Sequence, residues 1–171
     1  MRLDNKNRPI FDLKSSAVEF AKLIQDESDW IGCVPDSIYT KVLNNIDDWI
    51  LGSRENHIIA EAFGVSLGLK KPCVMIQNSG LGLALDALLG TFSLYKKGLL
   101  LVVTNRGVLD WEEAQHKEWG KCTTDILDAL EFPYFNFNEL GVDSIKDAAF
   151  CAFHENKIAT LLIERGNIDE I

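Results

Sequence analysis

The sequence predicts an α/β protein, a doubly wound and mainly parallel sheet with helices on both faces. Three observations lead there. Short apolar runs alternate with longer stretches of helical periodicity along the whole chain. The run GLLLVVTN (98–105) is apolar on both faces of a strand, as suits a parallel strand covered on each side. The segments that follow the apolar runs carry polar residues or glycine unlike their surroundings.

In chain order, the periodicity places a helix over 15–26 and a strand over 30–34. The turn VPDS, with Asp36 or Ser37 as cap, then opens a helix over 37–47. A short strand over 49–51 precedes a helix over 55–69, with Ser53 as N-cap and Ile58, Ile59, Ala62 and Phe63 as its buried face. A strand over 73–77 runs through a glycine turn into a helix over 80–95. The fully apolar strand over 99–104 follows, then a helix over 114–130, a strand over 134–137, a helix over 143–155 and a strand over 159–163. No repeat, low-complexity tract or linker interrupts the pattern. The 171 residues form one domain, 1–171.

Bulk properties narrow the function. A net charge of -9 argues against nucleic acid and against an anionic membrane, both of which are bound through basic surface. The N-terminal stretch lacks the apolar core of a signal peptide, and no apolar run approaches a membrane span. Cys33, Cys73, Cys122 and Cys151 form no CxxC pair, which predicts a reduced, cytoplasmic protein without a zinc site.

In a doubly wound sheet, ligands bind beyond the carboxyl ends of the strands. The loops to inspect are therefore VPDS, GSREN, QNSGLG and TNRGVLDWEEAQH. Glu55 lies in the first turn of its helix, where an acid complements the helix dipole by about 0.3–1 kcal/mol. QNSGLG offers free N–H groups at a helix start and close approach at Gly80 and Gly82, but it is not a P-loop, since no GK[ST] follows. Arg106 can present a guanidinium to an anion. His116 is the one histidine on a candidate loop, and no Ser-His-Asp or Cys-His arrangement is supported by spacing.

Taken together, GCVPDS, ENHIIAEAFG, KPCVMIQNSGLGLALDALLG, VVTNRG and EEAQHKEWGKCTTDILDALEFPYF carry a specific likeness. They resemble, in order and spacing over roughly residues 15–165, the pyrimidine-binding domain of thiamine-diphosphate-dependent 2-oxo-acid decarboxylases, in the phosphonopyruvate and sulfopyruvate branch. The resemblance implies the thiamine-diphosphate-binding fold. It makes Glu55, nine residues before Gly64, the hydrogen-bond partner of the cofactor's aminopyrimidine ring nitrogen, which readies the thiazolium carbon to attack a keto carbon. It places Asn78, Ser79 and Gly80 against the cofactor and Asp36, Ser37, Arg106 and His116 at the substrate, with His116 as proton donor or anion contact. Two positions depart from the family pattern: Leu83 stands where QNSGLGN has asparagine, and Asn56 stands where relatives often have glycine.

The family binds the cofactor's diphosphate through Mg²⁺ on a second domain bearing GDG…N, and no GDG occurs here. The resemblance therefore implies the alpha subunit of a two-subunit enzyme. Thiamine diphosphate would span the interface, Mg²⁺ would sit on a separate beta subunit, and the assembly would be α2β2. The expected reaction is decarboxylation of a short 2-oxo acid with a terminal anion, 3-phosphonopyruvate to phosphonoacetaldehyde and carbon dioxide ahead of 3-sulfopyruvate. Carboligation, a non-catalytic binding or regulatory subunit, and a piece of a longer enzyme are the alternatives.

Overall fold

The computed structural model describes residues 2–3, 9–10 and 13–168. A two-stranded antiparallel ribbon, β1 (Arg2–Leu3) with β2 (Pro9–Ile10), precedes the main domain. Then come α1 (Ala17–Glu27), β3 (Trp30–Cys33), α2 (Thr40–Leu43), β4 (Ile50–Leu51), α3 (Glu55–Leu67), β5 (Pro72–Gln77) and α4 (Leu81–Leu88). The chain continues through β6 (Leu99–Thr104), α5 (Ala114–Ala129), β7 (Tyr134–Asn136), α6 (Phe137–Leu140), α7 (Asp143–His154) and β8 (Ile158–Ile163). Strands β3 to β8 form one six-stranded sheet in the order β4-β3-β5-β6-β8-β7, and every pairing is parallel.

The fold class is the expected one, and the period of two explains why it is stable. Along β5 and β6, Cys73, Met75, Leu100 and Val102 pack to one side with α1, α2 and α7. Val74, Ile76, Leu99, Leu101 and Val103 pack to the other, with α3, α4 and residues of α5. A strand buried on both faces cannot alternate apolar with polar, so β5, β6 and β8 read as continuous apolar runs. Each fully buried Ile, Leu or Phe contributes about 1.5–3 kcal/mol by leaving water.

The differences from expectation are local. The helix expected over 37–47 is a 3-10 turn, Ser37–Tyr39, running into the single turn of α2. The helix expected over 80–95 begins as a 3-10 turn, Asn78–Gly80, and ends in a π turn, Leu89–Ser93. Phe137, expected to close a strand, opens α6 instead. Ser53 does not cap α3: the N-cap is Arg54, whose side chain makes no capping hydrogen bond. The first turn of α3 stands at the carboxyl edge of the sheet. Its buried face is Ile58, Ile59, Ala62 and Ser66, with Phe63 only partly covered.

The strand order reverses between β3 and β5. From β3 the chain moves outward to β4, then returns through α3 to the other side. The loops after β3 and β5 therefore diverge at the switch point, the place where open α/β sheets bind their ligands. No helix among the described residues is long and apolar enough to cross a membrane.

The deep thiols follow from the same packing. Burial, reinforced by the Asp36 charge, pushes the Cys33 thiol up to about 12. Burial, with Cys33 beside it, also raises Cys73. At neutral pH neither forms the thiolate that reacts. A thiol reagent at pH 7.5 should modify the half-buried Cys122 of the native protein and reach Cys33 and Cys73 only on unfolding, as mass spectrometry of the labelled peptides will read.

Candidate active site

Glu55 opens α3 at the carboxyl edge of the sheet, next to the switch point. It is half-buried, and its carboxylate has no hydrogen-bond partner among the described residues. Its side chain lies flat over Gly80. A Cβ built on Gly80 would stand 2.5 Å from Glu55 Cγ and 2.6 Å from Oε1. Only glycine leaves that space, so the two residues that the sequence placed on separate loops form one contact.

Gly80 closes the 3-10 turn that β5 feeds directly. Within it, Asn78 is fully buried and turned inward. Its Nδ2 donates to the Arg106 carbonyl and to Thr123 Oγ1, each at 2.9 Å, and lies 3.3 Å from Asn105 Oδ1. Asn78 is thereby a strut joining the loops after β5 and β6 to α5, while its Oδ1 is a buried acceptor with no partner among the described residues. Ser79 points the other way, and its Oγ donates to Gln77 Oε1 at 3.1 Å. Gln77 Nε2 lies 3.0 Å from His116 Nδ1.

Asp36, Ser37 and Arg106 come together as well. Asp36 caps the 3-10 turn after β3 by accepting from Ile38 N at 2.9 Å. Arg106 Nη1 donates to Asp36 Oδ2 at 3.1 Å and to Ser37 Oγ at 3.3 Å, and Arg106 Nε donates to Glu112 Oε1 at 2.8 Å. Glu112 is fully buried at its side chain, and its second oxygen accepts from Gly107 N at 2.7 Å. The buried cluster holds one cation against two carboxylates, so Arg106 is neutralised where it stands. Tyr39 pins the same turn from below, its hydroxyl 3.0 Å from the Ile76 and Val102 carbonyls. Burial, with Cys33, Asp36 and Cys73 nearby, holds that phenol well above its ordinary range, so it stays a donor.

The start of α5 is set by close backbone approach. Gly107 adopts φ +86°, and a Cβ on it would meet the His116 carbonyl oxygen at 2.0 Å. A Cβ on Gly120 would in turn meet the Gly107 carbonyl carbon at 2.3 Å. This docking holds His116, half-buried in the first turn of α5, against Gln77.

All the residues expected at the site thus join through one set of contacts at the carboxyl edge. Sequence reasoning missed Gln77, Glu112 and Thr123. Gln77 was in a quoted motif, but nothing in the motif showed that its side chain meets α5. Glu112 reads as one more acid in an acidic loop, and only its zero exposure marks it out. Among the described residues no group of three His, Cys, Asp or Glu side chains is placed to hold a metal ion.

No protein-family model matches the chain. Among solved structures, it resembles a 2-oxoglutarate:ferredoxin oxidoreductase from Magnetococcus marinus with 2-oxoglutarate, coenzyme A and succinyl-CoA bound. The TM-score is 0.65 at 15% identity, covering 90% of this chain and 29% of that one. At that identity the likeness shows the fold alone, an α/β domain built on a parallel sheet.

The curated relatives narrow the class. Sulfopyruvate decarboxylase subunit alpha of Methanococcus maripaludis is 28% identical over 129 residues, 72% of this chain and 77% of that one. The subunit of the same name from Methanothermobacter thermautotrophicus is 38% identical over 79 residues, 43% of this chain and 47% of that one. The one from Methanocaldococcus jannaschii is 24% identical over 128 residues, 72% and 76% of the two chains. These relatives support the family that the loops resemble, the alpha subunits of thiamine-diphosphate-dependent sulfopyruvate and phosphonopyruvate decarboxylases.

The buried cluster gives a direct stability test. Without Glu112, Asp36 still balances Arg106, but Arg106 Nε and Gly107 N lose their buried acceptor, at a cost of about 1–3 kcal/mol. Glu112→Ala should lower the free energy of urea unfolding by about that amount, whereas Glu118→Ala, in an exposed pair with Lys121, should change it by under about 1 kcal/mol.

Proposed function

We propose that this chain is the pyrimidine-binding alpha subunit of a two-subunit thiamine-diphosphate-dependent decarboxylase acting on a short 2-oxo acid with a terminal anionic group. The observation that carries the reading is Glu55: a half-buried carboxylate, without a partner among the described residues, laid over Gly80 at the switch point. The relatives and the structural neighbour support a thiamine-diphosphate-dependent 2-oxo-acid decarboxylase. The relatives' name, subunit alpha, favours a separate beta subunit, and we assign Mg²⁺ and the diphosphate to it, in an α2β2 assembly.

The residues present fit the cofactor's pyrimidine end. Glu55 presents a carboxylate with no partner among the described residues, and the bare Cα of Gly80 is what lets that side chain lie against the turn after β5. The chemistry that thiamine diphosphate supplies when bound is a sink for the electron pair left by departing carbon dioxide. In this reading Glu55 holds a proton between its carboxylate and the pyrimidine ring nitrogen. Ser79 and Gly80 form the wall against the ring, with Asn78 fixing the turn behind them. His116 delivers a proton from Nε2 at the substrate end. Asp36, Ser37 and Arg106 shape the substrate end. Because Asp36 and Glu112 already balance Arg106, the terminal anion draws its cation from the partner subunit.

For the substrate, the names of the curated relatives favour 3-sulfopyruvate over the 3-phosphonopyruvate that the VPDS and AQH loops suggest. The test is reconstitution with the GDG-bearing partner, thiamine diphosphate and Mg²⁺, following carbon dioxide release from each acid. Release that needs both chains is expected, faster from 3-sulfopyruvate. A stable, cofactor-loaded complex that releases none from either would overturn the reading.

Two substitutions sharpen it. Glu55→Gln should lower kcat by about 100-fold or more while leaving the complex assembled. Gly80→Ala should leave the melting temperature nearly unchanged, because only the flexible Glu55 side chain must move. It should nevertheless weaken cofactor binding in the complex, read by isothermal titration calorimetry.

A further inference from the structure

We propose that Gln77, steadied by Ser79, holds the imidazole of His116 by Nδ1 and thereby dedicates Nε2 to proton transfer at the carboxyl edge of the sheet. The proposal rests on the assignment of His116 to the reacting centre. Gln77 is the last residue of β5, an interior strand, and is half-buried, so its backbone is fixed by the ladder to β6. His116 sits on a helix start that close approach at Gly107 and Gly120 docks against the loop after β6. The side chains span the gap between these two fixed points at 3.0 Å, and Nε2 has no partner among the described residues.

The choice of an amide has a chemical reason. With Ser79 Oγ donating to Gln77 Oε1 at 3.1 Å, Gln77 Nε2 faces the ring, Nδ1 accepts, and the neutral imidazole carries its proton on Nε2. When the ring takes a second proton, Nδ1 becomes a donor and needs an acceptor. A half-turn of the Gln77 amide brings Oε1 to it. The Ser79 hydroxyl then accepts from Gln77 Nε2 where it had donated before, so no hydrogen bond is lost. From the imidazolium, the Nε2–H bond breaks as its proton passes to the substrate carbon, and the ring is left neutral with its proton on Nδ1, still held by Oε1. A carboxylate at position 77 would serve only the Nδ1–H forms and would favour the imidazolium. An alkyl side chain would serve neither.

The test reads the ring directly, apart from activity. In the full ¹⁵N-labelled chain, long-range ¹H–¹⁵N spectra report the tautomer and titration of His116, assigned by their loss in His116→Asn. Native protein should show a neutral ring protonated mainly on Nε2. Gln77→Leu should mix the tautomers, and in the reconstituted complex it should lower kcat by about 10- to 100-fold with KM within about threefold. Gln77→Glu should restore a single ring orientation, raise the midpoint of the His116 titration by about one unit or more, and carry the pH profile of kcat upward with it. Unchanged His116 spectra in Gln77→Leu would overturn the proposal, as would altered spectra with an unchanged kcat. An unchanged kcat in His116→Ala would remove the role assigned to His116 itself, and the proposal would fall on that separate ground.

Discussion

The carboxyl edge of the sheet is organised around one buried guanidinium. Arg106 reaches from the loop after β6 to Asp36 on the loop after β3, and back to Glu112 at the end of its own loop. Burying three charges is unfavourable unless every donor and acceptor is used, and here they are used for position. Asp36 also caps the turn below Ser37, and Glu112 also takes the amide of Gly107. Through Gly107 the arrangement sets where α5 begins, and so where His116 stands. The excess of carboxylate over cation also explains why this edge, taken alone, is a poor place for an anion.

Around that fixed centre, the candidate reacting groups are the ones left free. Among the described residues, the Glu55 carboxylate has no partner, and His116 is bound by one nitrogen only. Ordinary packing would satisfy such groups or leave them fully in water. Here two half-buried titratable groups flank one glycine-built turn, with the strut of Asn78 beneath it. Free side chains on a rigid frame are what positioning chemistry requires, since the frame absorbs the entropy cost before the ligand arrives. A second chain that completes the site would then add its own groups to a preformed edge.

The alternation of apolar runs and helical periods was enough for the class of fold, because a strand covered on both faces has no other way to read than LLLVVT. The loops that matter were legible for a related reason: each interrupts an apolar pattern with glycine or polar residues at a strand end. The exceptions have separate local causes. The two-residue strands of the N-terminal ribbon are too short to show a period. The 37–47 segment has helical spacing but tightens into a 3-10 turn, because Asp36 bonds the Ile38 amide and Tyr39 is pulled into the sheet. Ser53 is a good cap by type, yet the chain turns into α3 one residue later.

What the sequence determined by itself was local: element type, the apolar faces, and the identity of the loops at one edge. Those follow from side-chain period and turn chemistry, which neighbours in the chain settle among themselves. The tertiary structure alone decided the strand order, and with it which loops meet. It brought Asp36 to Arg106 across seventy positions, Asn78 to Thr123 across forty-five and Gln77 to His116 across thirty-nine. Such pairings depend on how whole strands are ordered and how helices dock. A buried Glu112 or a Gln77 that reaches another element therefore looks, in the sequence, like any other polar residue in a loop.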